Sequence, residues 1–297
     1  MKANDSAIFA RSIAVGGTAL AALGVLCFSF TLPATTWALD GFGPWTITGL
    51  RGVLAAVLAG ACLAVKRVPV PARSDWPALL AVAAGCVVGF PLLSTLALRT
   101  SSTAHSAVVI GMLPLATAVM SALRTGARPP RLFWWAALAG AVVVLAFTLQ
   151  QSAGRPSLAD GYLFAALLVC AAGYAEGGRL AQRMPGWQVV AWGVLAALPA
   201  TVLTCALALP TEPVRLTVHG MVGLGYLAAV SQSGGFVAWY AGMAAIGVLR
   251  ASQLQLAQPL LTLCWAVLVL GERLPPAVAV TALAVIACIA VTQRART

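Results

Sequence analysis

Ten long apolar stretches, bounded by Pro, Gly or charged residues, divide the chain at about 12–32, 44–65, 76–98, 103–123, 132–150, 158–179, 187–209, 217–243, 249–270 and 276–293. A run of roughly 20 apolar residues crosses the hydrocarbon core as an α-helix, since a helix satisfies its own backbone N–H and C=O groups in lipid. The pattern predicts an all-α, polytopic membrane protein of ten transmembrane helices. Its connections are short, so neighbouring spans are antiparallel. The first run follows Lys2 and Arg11 as a secretory signal would, but it is long for an h-region and similar runs follow it, so it reads as the first span.

Polar positions within these runs form stripes. In "LRASQLQLAQPLLTLCWAVLVLGERLPP", Ser252, Gln255, Gln258, Pro259 and Thr262 fall within an arc of about 120° at about 100° per residue. Gln253 lies outside that arc, near a helix end where it reaches water. Pro259 frees a backbone carbonyl one turn back. In the eighth span Tyr226, Ser233 and Tyr240 recur every seven residues, with Gln232 and Trp239 on an adjacent stripe. Phe90 and Ser94 share a face of the third span; Thr103, Ser106, Thr117 and Ser121 share one of the fourth, with Pro114. Each stripe has two readings: interhelical packing with the polar groups satisfied, or the lining of a wet cavity that binds a solute.

Composition agrees with a lipid-facing chain: 61% of the 297 residues are hydrophobic, 8% are charged, and the mean hydropathy is +0.95. The net charge of +11 comes from basic residues in twos and threes between apolar runs, without the aromatic interleaving of a nucleic-acid site. With a cytoplasmic N-terminus, the inner side holds Lys2, Arg11, Lys66, Arg67, Arg73, Arg124, Arg128, Arg131, Arg179, Arg183, Arg250, Arg294 and Arg296. The outer side holds Arg99, Arg155, Arg215 and Arg273. Thirteen against four places both termini in the cytoplasm. The cysteines at 27, 62, 86, 170, 205, 264 and 288 lie in apolar runs without zinc or CxxC spacing and read as small hydrophobes. No metal or cofactor is expected.

The stretch "PLATAVMSALRTGARPP" (114–130) aligns without a gap with residues 259–275 of "PLLTLCWAVLVLGERLPP", at an offset of 145 with seven identities in seventeen. Upstream, "VVGFPLLSTLAL" (87–98) echoes "SGGFVAWYAGMA" (233–244). The offset divides the chain into halves, 1–150 and 151–297, of five spans each. Five is odd, so the second half enters the membrane inverted. Inverted repeats place a transporter's substrate site near the midplane, between the halves.

At these residues the chain resembles the drug/metabolite transporter superfamily in its ten-span EamA-type form. "FTLPATTWALDGFGPWTITGLRGVLAAVLA" is similar to that family's first two spans, with Gly43-Pro44, Arg51 and Ala55-Ala56 in place. "QPLLTLCWAVLVLGERL" is similar to its Pro…Gly-Glu motif, on Pro259, Gly271 and Glu272. The first half departs from that motif at Ala127, so the resemblance supplies no symmetric pair of acids. In general look the chain is also similar to YddG-like amino-acid exporters. The resemblance implies a secondary transporter in a bacterial inner (plasma) membrane. It would move a small solute, such as an aromatic or other amino acid, out of the cytoplasm by alternating access. Drug efflux or metabolite uptake on the same fold is the alternative.

The candidate substrate-binding residues are Gln255, Gln258, Tyr226, Ser233, Tyr240, Trp239, Phe90 and Ser94. Pro114, Pro259 and Arg51 are expected to be structural, Arg51 by snorkelling outward or bonding carbonyls. Glu176 either pairs with Arg179 at i+3 or serves as a protonatable coupling site. His105 and His219, at outer helix ends, are expected to reach interfacial water. Few charges lie within the spans, which predicts a neutral or zwitterionic solute. No HExxH, GxSxG or P-loop occurs, and "SQSGG" carries Ser231 where a rhomboid-type protease needs Gly, so an intramembrane enzyme is disfavoured. Ten spans can enclose a pathway within one chain, so a monomer suffices; the expected partners are the solute and the lipid bilayer, without nucleic acid.

Overall fold

A computed structural model describes residues 2–125, 130–151, 157–246 and 254–294. Among the described residues, eight helices are long and apolar enough to cross a membrane. They are α1 (Val15–Leu39), α2 (Pro44–Val65), α3 (Arg73–Leu98), α4 (Thr103–Arg124), α5 (Arg131–Gln150), α6 (Leu158–Leu180), α7 (Gly186–Ala208) and α8 (Val218–Ile246). Two shorter apolar helices follow, α9 (Ala257–Leu270) and α10 (Pro276–Val291). Gln253, and the stretch 126–129 with Gly126, Ala127 and Arg128, lie outside the described residues.

Five helices are irregular, and the breaks in three of them lie close to a proline. The sequence ends the first span near Leu32, before Pro33, yet α1 breaks at Phe30 and continues to Leu39. Pro33 then sits in the first turn after the break, where its missing N–H has no intrahelical partner to lose. α4 is interrupted at Gly111–Met112, two residues before Pro114. α9 begins after a turn at Leu256, ahead of Pro259. α3 and α8 each contain a π-helical segment, Ala83–Gly89 and Tyr226–Gly234. These segments end on glycines 145 positions apart.

The helices pack in pairs across the two halves of the chain: α1 along the end of α8, α2 along α7, α5 along α10, α3 and α4 against α6, and α9 against both α4 and α1. Small residues allow the close approach that lipid-embedded helices need. A Cβ on Gly24 would lie 2.9 Å from the Trp239 Cα, so α1 and α8 meet backbone to backbone. The helix ends are tied by polar groups. Glu212 accepts from the backbone N–H of Thr46 (2.8 Å) at the start of α2, and Glu272 accepts from Thr103 and Ala104 (2.8 and 2.9 Å) at the start of α4. Both carboxylates occupy helix N-termini, where unpaired donors and the helix dipole favour negative charge. Gly271 (φ 67°) closes α9 in the left-handed conformation and delivers Glu272 to that position.

Candidate functional site

The breaks in α1, α4 and α9 and the π segments of α3 and α8 surround a cavity of about 50 Å3, which α2 and α6 complete. At about 10–15 Å3 for each water, it holds only a few solvent molecules. Its apolar and aromatic lining includes Phe28, Cys86, Phe90, Ile110, Tyr174 and Phe236. The rings of Phe28 and Phe236 meet edge to face at 4.8 Å, and Tyr174 meets Phe236 at 6.1 Å. Its polar lining is formed by Thr31, Arg51, Ser231, Gln255, Gln258 and Thr262.

Arg51 is 3% exposed. Its Nη2 donates to Gln232 Oε1 (2.9 Å) and makes a long contact with Ser231 Oγ (3.5 Å), while Nε is buried without a partner among the described residues. Of the two sequence-based expectations for Arg51, snorkelling outward does not hold, whereas bonding a carbonyl does, the acceptor being the side-chain amide oxygen of Gln232. The π segment of α8 turns Ser231 and Gln232 toward α2, and the guanidinium follows them inward. Thr31 and Ser231 hydroxyls lie 2.9 Å apart across the α1–α8 seam. Thr262 donates to the Ser29 carbonyl (2.8 Å), and Trp265 Nε1 donates to Ser29 Oγ (3.0 Å), so α9 holds the broken turn of α1 in place.

Of the residues singled out from sequence, Phe90, Gln255, Gln258, Pro114, Pro259 and Arg51 meet at this cavity. Tyr226, Ser233, Tyr240, Trp239 and Ser94 are not among its lining residues. Tyr226 donates to the Cys27 carbonyl (2.8 Å) and packs on Phe30. Ser233 donates to Ala228 O (2.9 Å), five residues back, as the π turn requires. Tyr240 stacks on Phe236, Trp239 covers Gly24, and Ser94 bonds the Phe90 carbonyl of its own helix (2.6 Å). Thr103 and Ser106 are buried at helix contacts away from the cavity.

Phe28, Thr31, Tyr174, Ser231 and Phe236 escaped the sequence reading. Phe236 had a signal: it stands opposite Phe90 in the echo of "VVGF" and "SGGF".

Glu176 lies apart from the cavity. Arg179 Nη2 donates to it at 2.8 Å, as the i+3 spacing expects, and Arg124 of α4 donates through Nε at 2.8 Å and through Nη2. His219 is exposed near Asp40, whereas His105 departs from expectation. Its Nε2 lies 2.7 Å from Asp160 Oδ1, and its ring stacks on Phe147. Among the described residues no cluster of His, Cys, Asp or Glu could hold a metal ion.

Two stretches, residues 15–149 and 157–293, each match the EamA-like transporter family. The chain belongs to the EamA-like transporter family. It is a multi-pass membrane transporter and not an enzyme. A relative in Bacillus subtilis (strain 168), named uncharacterized transporter YdeK, is 42% identical over 272 residues, covering 92% of this chain and 95% of the relative. A solved crystal structure, 19% identical, covers 93% of this chain and 97% of its own with a TM-score of 0.65, so this EamA-like chain shares its fold.

Proposed function

We propose that this transporter exports a small organic solute, such as an aromatic or other amino acid, by alternating access at the cavity between two inverted halves, 1–150 and 151–297. The carrying observation is that lining residues recur at the repeat offset. Cys86 and Ser231, Ile110 and Gln255, Leu113 and Gln258, and Pro114 and Pro259 are each 145 positions apart, and all eight face the cavity. The first half contributes the apolar member of three pairs and the second half the polar one. A cavity lined by both polar and apolar groups suits a solute with a polar head and an apolar body.

Helix packing supports the inversion. Exchanging the halves carries the α1–α8 contact onto α6–α3 and α9–α1 onto α4–α6, and returns α2–α7, α4–α9 and α5–α10 to themselves. Polar ties support ten alternating crossings. Glu212 and Glu272 reach the starts of α2 and α4, His105 and Asp160 join the starts of α4 and α6, and Arg124 and Glu176 join their far ends. Each tie connects ends that alternation puts on one side. On this reading α9 and α10 span with the others, both termini are cytoplasmic, the membrane is the bacterial inner membrane, and one chain suffices.

Alternating access requires the helices around the cavity to part on one side at a time. The test is counterflow in proteoliposomes of purified protein, screened across amino acids and aromatic metabolites. Uptake of labelled solute driven by the same solute inside is expected for at least one class. Absence of flux across the panel contradicts export.

A further inference from the structure

We propose that Arg51 is the solute's carboxylate anchor and that the cavity selects monocarboxylates, the α-ammonium of an amino acid being dispensable. This rests on the transport reading above and names its substrate class.

The argument begins with charge. A guanidinium 3% exposed has lost its hydration. Buried cations are ordinarily paired with an anion or with enough acceptors to replace water. For Arg51 the structure shows two neutral acceptors on Nη2, Gln232 Oε1 and Ser231 Oγ, and none for Nε. The acids whose side chains are described are all engaged elsewhere. Glu212 and Glu272 cap helices, Glu176 holds two arginines, Asp75 meets Arg183, Asp160 meets His105, and exposed Asp40 lies by His219. Among the described residues no acid lines the cavity, and Arg51 is the one charged residue that does.

An incoming carboxylate supplies what is missing: a full negative charge and two oxygens that match the planar fork of an arginine. Gln255 and Gln258 can donate to the same head group, and the rings of Phe28, Phe90 and Phe236 face the body of the solute. An ammonium group finds no carboxylate in the cavity, so a zwitterion leaves its positive end without a charged partner. The sequence-based expectation of a neutral or zwitterionic solute is thereby narrowed to an acid whose charge Arg51 balances.

The test uses full-length purified protein and matched probes, 3-phenylpropionate against 3-phenylpropionamide and 4-methylpentanoate against its amide, with phenylalanine as a fifth probe, followed by intrinsic tryptophan fluorescence. Each acid is expected to bind at least about tenfold more tightly than its amide, the scale of one charge-assisted contact. Phenylalanine is expected to bind no more tightly than 3-phenylpropionate. Arg51→Gln should abolish the acid–amide preference and Arg51→Lys should retain part of it. Equal affinities for acid and amide, tighter binding of phenylalanine, or no binding by either acid overturns the proposal. The wild-type comparison needs no variant, so it decides even if Arg51→Gln fails to fold. Counterflow with the same probes separates the two readings. Acid preference in binding without flux sinks transport alone, and flux without acid preference sinks the carboxylate site alone.

Discussion

Gln258 and Tyr226 are both polar groups on helices facing the protein interior, yet they answer to different surroundings. Tyr226 spends its hydroxyl on the Cys27 carbonyl (2.8 Å), whereas Gln258 lies on the cavity wall one residue before Pro259. Tyr226→Phe should therefore lower thermal stability by about 1 kcal/mol, the worth of one hydrogen bond, and leave solute affinity unchanged. Gln258→Ala should weaken solute binding about two- to tenfold, with little change in melting temperature. Binding titrations and melts on the same samples check both. At this scale the sequence was half legible. The 100° stripe on the ninth span put Gln255 and Gln258 on one face, and both line the cavity, although a turn at Leu256 separates Gln255 from the helix that begins at Ala257. The seven-residue stripe Tyr226–Ser233–Tyr240 failed because α8 is π-helical from Tyr226 to Gly234, and a wider turn moves Ser231 and Gln232 inward in place of Ser233.

At the scale of elements, Glu176 shows how a lone intramembrane acid acquires a plain duty. Its i+3 partner Arg179 could be read from spacing; Arg124, 52 residues away, required the α4–α6 packing. We propose that Glu176 ties α4 to α6. Glu176→Gln and Arg124→Gln should each lower thermal stability, and the double variant should fall short of additivity by about 0.5 kcal/mol, since both arginines are largely exposed. The pH-gradient dependence of transport should be unchanged in Glu176→Gln; its loss would make Glu176 a coupling site instead. Helix positions were legible because lipid imposes their length. The breaks at Phe30, Gly111 and Leu256 were not, since proline marks a disturbed turn without saying whether the helix ends or resumes.

For the whole molecule, the internal match of 114–130 with 259–275 predicts a repeat, and an odd number of spans in each half predicts its inversion. Single cysteines at 126 and 271, in a background lacking the seven native cysteines, should react with impermeant reagents from opposite faces of the membrane. Labelling from the same face would remove the inversion and the alternating-access reading with it. The amphiphilic character of the cavity was not legible, because it arises from pairing positions 145 apart in space. Nothing in either half alone marks Ile110 or Leu113 as the apolar counterpart of a glutamine.

The widened turns of α3 and α8 set a limit on how this chain can vary in length. Each accommodates a surplus residue in mid-membrane, and removing one would restore ordinary winding and swing everything beyond it by about 100°. Phe90 lies directly beyond one such turn, and Phe236 lies just past the other. A single deletion there would turn one of these rings away from the cavity, whereas the same deletion in a connecting loop would leave both where they are.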